Sequence, residues 1–116
     1  MARKNVVKAY KMIDAGDLSG NIQSNTTSVI NMDKASISVQ WTGSSPVGTF
    51  EVLARNGEDD AWQALDFGAA ISVSGNSGDH RIVLNELPFT DLRVDYTSTS
   101  GTGSVTATIT AKQVGG

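Results

Sequence analysis

The chain has 116 residues, the size of one globular domain, with no cysteine and a single histidine, His80. That excludes a disulfide scaffold, a zinc–thiolate site, a cysteine nucleophile and a histidine-rich metal centre. The net charge of −3 argues against a general nucleic-acid binder, which carries a basic face. Val, Ile and Thr number 29 against 9 for Leu plus Met, and Ser plus Thr number 24 beside 12 Gly. β-Branched residues favour pleated strands and Gly and Ser supply tight turns, so the composition predicts an all-β protein.

In chain order, residues 1–15 read as a basic N-terminal arm or a first strand, ahead of a single β-sandwich domain over 16–116. Residues 1–11 hold Arg3, Lys4, Lys8 and Lys11 and no acid, while the remainder carries 5 basic and 12 acidic residues, a balance of −7. A basic arm is either solvated or docks an acidic partner or nucleic acid, and the solvated reading is the first. Lysines interrupt any apolar stretch there, so it does not read as a signal peptide, and no run approaches the roughly 18 apolar residues of a membrane span. The expectation is a protein made in a cytosol, with no membrane partner. Over 5–13, Val6, Tyr10 and Ile13 fit a helix, whereas Val6, Tyr10 and Met12 fit a strand; the reading taken is a strand.

Weaker strands are predicted at 20–23, 27–31, 62–67 and 70–74. Period-2 alternation is strongest at 36–42 (Ile37, Val39, Trp41 inward), 49–55 (Phe50, Val52, Ala54), 81–87 (Ile82, Leu84), 92–97 (Leu92, Val94, Tyr96) and 104–111 (Val105, Ala107, Ile109, Ala111). Gly43-Ser44-Ser45-Pro46 is read as a break between two strands, and Asn56 to Asp60 as a hairpin loop. Gly75 to Asp79 is a turn, and Ser100-Gly101-Thr102-Gly103 a hairpin turn. Turns every 10–15 residues fit an antiparallel β-sandwich of about eight strands, and no segment has room for a βαβ crossover.

The chain offers little for catalysis. His80 follows a turn and reads as a surface residue, and no G-x-S-x-G elbow is present. Glu51, Asp66, Glu86, Asp91 and Asp95 are carboxylates with no sign of a facing pair. Glu58, Asp59 and Asp60 form an acidic loop without the EF-hand pattern, so it reads as a solvated tip. The expectation is a non-enzyme with no cofactor and no metal. Trp41 reads as core. Trp62, after the acidic loop, reads as core, rim or contact surface.

From about 35 to 112 one pattern runs through the chain: the Trp41 strand, Gly48-Thr49-Phe50-Glu51-Val52-Leu53, and an N-G-x-x-x-x-W hairpin from Asn56 to Trp62. Then come Leu87-Pro88-Phe89, Leu92-Arg93-Val94-Asp95-Tyr96-Thr97, Ser100-Gly101-Thr102-Gly103 and Lys112. This resembles the small jelly-roll-like β-sandwich virion proteins of tailed bacteriophages. More distantly it is similar to discoidin-like galactose-binding modules. The first resemblance implies a non-catalytic virion structural protein: a capsid decoration or stabilisation protein, or a head or tail component. Such a protein forms a homo-oligomer, a trimer first, and contacts other virion proteins such as the major capsid protein. The second implies a carbohydrate-binding module that meets host glycans. The residues expected to make partner contacts are Arg3, Lys4, Lys8, Tyr10, Lys11, Trp62, Arg93 and Asp95. Thr102, Thr106, Thr108 and Thr110 are expected to form a flat, uncharged face. Nucleic acid is not an expected partner.

Overall fold

A computed structural model describes residues 5–30, 32–65 and 71–114. Eight strands follow in chain order: β1 (Asn5–Asp17), β2 (Ile22–Gln23), β3 (Thr27–Ser28), β4 (Lys34–Arg55), β5 (Gln63–Ala64), β6 (Ile71–Val73), β7 (Ser77–Leu84) and β8 (Asp91–Val114). All pairings are antiparallel. The ambiguous segment at 5–13 is a strand, and its strand crosses position 15. It carries two bulges, between Lys11 and Ile13 and between Ile13 and Gly16. They let the neighbours Met12 and Ile13 both turn inward, which strict alternation forbids.

β4 and β8 pair along nearly their whole lengths and form the spine. The first half of β4 and the second half of β8 make the centre of one layer, flanked by β7 and β1. The other halves make the centre of a second layer, flanked by β5 and β6 on one side and β2 and β3 on the other. The two layers are called the front and the back sheet. Hydrogen bonding is continuous between them, so this is a β-sandwich made by folding one sheet over.

The fold-over follows from backbone bonds. The Val29 N–H donates to the Thr90 carbonyl and the Asp33 N–H to the Lys112 carbonyl. Thr90, just before β8, and Lys112, near its far end, therefore lie within reach of four residues of chain, about 14 Å. Straight, the same 22 steps would span about 73 Å, while the longest dimension of the molecule is 52 Å.

Two sequence expectations are corrected at the bend. Gly43 to Pro46 does not break β4, and Ser100 to Gly103 is not a hairpin turn between two strands. Both are bulged bends inside continuous strands, with register shifts between Ser44 and Val47 and between Val47 and Gly48. Each segment has the turn chemistry of a reversal, but its flanks pair with the other spine strand instead of with each other. Ser45 and Gly101 adopt positive φ, 50° and 82°. Two asparagines brace the bends. The Asn76 side chain accepts from the Ser45 N–H at 2.8 Å, and that of Asn21 from the Ser98 N–H at 2.9 Å.

The weak strands are shorter than expected: of 62–67 only Gln63–Ala64 is strand, with Asp66 and Phe67 outside the described residues, and of 27–30 only Thr27–Ser28, with Asn31 likewise outside them. The expected strand at 81–87 begins earlier, at Ser77, and stops at Leu84. The loop from Asn56 does return as a hairpin, with Leu53 opposite Ala64 and Ala54 opposite Gln63.

One core fills the sandwich. The inward residues predicted by alternation, Ile37, Val39, Trp41, Phe50, Val52, Leu92, Val94, Tyr96, Val105, Ala107 and Ile109 among them, are all buried. Each large aliphatic or aromatic side chain taken from water contributes roughly 1.5–3 kcal/mol. Gly78 sits flat against the Trp41 indole, where a Cβ would collide with the ring.

Candidate functional site

The outer faces of the two sheets differ. On the front, Ser36, Ser38, Gln40 and Thr42 of β4 lie beside Thr110, Thr108, Thr106 and Ser104 of β8. Because their neighbours in sequence point into the core, these eight side chains point out. None is charged. Arg81 of β7 reaches over the edge of this face and donates to the Ser36 hydroxyl at 3.1 Å. Thr106, Thr108 and Thr110 thus occupy the neutral face expected of them, while Thr102 lies at the bend.

One end of the back face is covered by its own side chains. In register, Arg55 stands opposite Asp91 and Leu53 opposite Arg93. Arg55 Nε bonds Asp91 Oδ2 at 2.9 Å. Arg93 grips Asp95 with two bonds, at 2.9 and 3.0 Å. The 56–62 hairpin then carries Trp62 back over them, with the Arg55 and Arg93 guanidiniums 4.5 and 4.7 Å from its ring centroid. Trp62 is therefore half-buried as a lid on two cations and is not in the core. Arg93 and Asp95, expected to reach a neighbour, satisfy each other within the chain. Arg55 and Asp91 complete this cluster and were not foreseen as contacts. The signal available was Arg55 at the outward end of a strand, followed by a hairpin long enough to return a tryptophan.

The acidic tip before Trp62 is held by its own carboxylate and by Thr90. Asp60 Oδ2 accepts from the Asn56 N–H at 2.8 Å, and Thr90 Oγ1 accepts from the Gly57 N–H at 2.7 Å. Among the described residues no group of three or more carboxylate, histidine or cysteine side chains is placed to hold a metal. His80 is exposed on β7, opposite Val39.

The open edge of the sandwich holds a third feature. β1 is the front sheet's edge, and the segment 25–28 forms the back sheet's edge facing it. Between them lies a groove of about 330 Å³ lined by Tyr10, Lys11, Asn25, Thr26, Thr27 and Ser28. One backbone bond crosses beside it, from the Asn25 N–H to the Met12 carbonyl at 3.1 Å. Tyr10 pairs with Ile109 and so shares its inward side, yet it is 46% exposed because the groove leaves it uncovered. Lys11 turns the other way and meets Asp14 at 3.5 Å. Of the remaining expected contacts, Arg3 and Lys4 lie outside the described residues. Lys8 is placed in β1 opposite Ala111, its backbone alone described.

No family model matches the sequence, and no curated protein matches it. Solved structures do match in fold. A prophage-derived protein, YomS of SPBc2, is similar with a TM-score of 0.63 at 14% identity, over 95% of this chain and 97% of that one. A chain of the infectious bursal disease virus Gx strain is similar with a TM-score of 0.67 at 10% identity, over 97% of this chain and 33% of the viral chain. The Gt strain gives the same score at 11% identity. The chain thus spans nearly all of the prophage protein and about a third of the viral one. At these identities the likeness is one of fold.

Proposed function

We propose that this chain is a non-catalytic virion structural protein of a phage, working through protein–protein contacts as a capsid decoration or head–tail component. The observation that carries the reading is the contrast between the two outer faces. One end of the back face is occupied by Trp62 and two internal ion pairs, and the rest of it carries the exposed Glu51. The centre of the front face is left as a neutral array of hydroxyls and one amide. The centre of that sheet has no charge to discourage pairing with strangers, its charges standing around it in Lys34, Lys112, Arg81, Asp79 and Lys11, and a partner subunit would cover it. The likeness to a prophage-derived protein and to chains of a virus supports the same direction.

The eight central side chains cover only about 20 by 10 Å. A standard interface needs about 800 Å² per partner. Closed symmetry and a multivalent particle surface make up the difference, which favours a trimer docked on the major capsid protein. The acid-free charge of residues 1–11, with Arg3, Lys4 and Lys8, suits an acidic neighbour. The test is the solution mass over a range of concentrations, together with co-sedimentation on phage particles. The expected result is an oligomer that binds particles and is weakened at least about tenfold by Thr108→Lys at the centre of the face. A protein that stays monomeric when concentrated and ignores particles would overturn the reading.

A second reading, carbohydrate adhesion, is favoured by one observation, the polar groove beside Tyr10.

A further inference from the structure

We infer that the groove at the open edge, between β1 and the segment 25–28, binds a neutral saccharide unit, with Tyr10 as the stacking surface. The inference rests on the second, carbohydrate reading. Sugar recognition needs an aromatic ring free to meet the C–H face of a pyranose, and neutral amides and hydroxyls to meet its edge. Two aromatic side chains offered themselves in the sequence, and the structure separates them. The ring of Trp62 is engaged by two guanidiniums. Tyr10 is 46% exposed, with no ring, cation or hydrogen-bond partner among the described residues.

The groove supplies the remaining chemistry. The exposed Asn25, Thr26 and Ser28 line it with an amide and two hydroxyls. Among the described side chains no carboxylate lines it, and the cation that does, Lys11, is paired with Asp14. The groove's described lining therefore offers hydrogen-bonding capacity with its one charge already paired. Its volume of about 330 Å³ lies within the range of small-ligand sites. An added peptide strand is the competing occupant, and two features work against it. The edge is bulged just past Lys11, and the Met12 carbonyl that a strand would use already accepts from Asn25.

The experiment is an array of neutral glycans (glucan, galactan, xylan and N-acetylglucosamine oligomers) probed with the full chain, followed by calorimetric titration of the strongest binder. At least one glycan is expected to bind. Tyr10→Ala should weaken it about tenfold or more and Asn25→Ala several-fold, while Tyr10→Phe retains most of the affinity and Trp62→Ala leaves it within about twofold. Far-UV circular dichroism on each variant checks that the fold is kept. Absence of binding across the array overturns the inference, as does binding that survives Tyr10→Ala. Loss of particle binding by Tyr10→Ala without any glycan bound assigns the groove to a polypeptide and also overturns it. These readouts use the isolated protein, so a failure of particle binding by the wild type leaves the saccharide result standing on its own.

Discussion

Tyr96 is the largest of the fully buried side chains, and its hydroxyl is buried with it. The ring meets Phe50 at 4.9 Å between centroids, tilted by 48°, and the hydroxyl points at Gly48, where any Cβ would collide with it. Burial pushes its ionisation above the ordinary tyrosine range, and the Ser98 hydroxyl beside it offsets part of that. The unfolded chain releases this proton near pH 10 while the folded chain holds it. The stabilisation is therefore complete below about pH 10 and is lost as pH climbs through the raised folded value. Thermal midpoints followed from pH 8 to 11 should fall more steeply for the wild type than for Tyr96→Phe. At pH 7 the same variant should cost less than about 1 kcal/mol, because the hydroxyl it removes has no hydrogen-bond partner of good geometry. Parallel curves for the two proteins would show that Tyr96 does not set the alkaline limb.

The bends of β4 and β8 are the elements on which the sandwich depends. Gly101 has φ +82°, and a Cβ there would strike the Ser45 carbonyl and the Pro46 Cα. Gly101→Ala should therefore cost about 2 kcal/mol or more, from the positive φ and the collision together, read as a shift in the urea midpoint at unchanged m. Gly57→Ala, also at positive φ but with open space around it, is the comparison and should cost less. The bends also mark the limit of what the sequence could tell. Alternation located every inward residue of 36–42, 49–55, 92–97 and 104–111, because burial on one face imposes period 2 whichever strand lies alongside. It could not tell a hairpin from a bend, because Gly101 and its neighbours satisfy the local chemistry of both. The difference lies in pairing with β4, tens of residues away. The candidate site divides in the same manner. Tyr10 was identifiable as an aromatic in a basic strand. Asn25, Thr26 and Ser28 were not, because only the folding-over of the sheet brings them to β1. Trp62 was noticed, but its stacking on Arg55 and Arg93 needs the hairpin register.

The whole molecule has two layers and one spine, and this governs how it unfolds. In a sandwich built from separate strands, one sheet could open while the other stays packed. Here β4 and β8 each contribute to both sheets, so freeing either layer pulls on strands that hold the other. Trp41 lies in the core against the front sheet and Trp62 on the outside of the back sheet, so the molecule carries a reporter on each layer. Single-tryptophan variants, Trp62→Phe and Trp41→Phe, isolate the two signals. Ile109→Ala cuts the front sheet's core and Val52→Ala the back sheet's; each removes a side chain with no exposed surface, at a cost of about 2–4 kcal/mol for the first and less for the second. If the spine couples the layers, either substitution lowers the urea midpoint reported by both tryptophans by the same amount, in a single transition. A back-sheet signal that stays put while Ile109→Ala moves the front-sheet signal would show that the bends act as hinges between two independently stable halves. Braced by Asn21 and Asn76 and packed with no room for a Cβ at Gly43 or Gly101, the bends are built as rigid corners, and the single transition is the outcome expected.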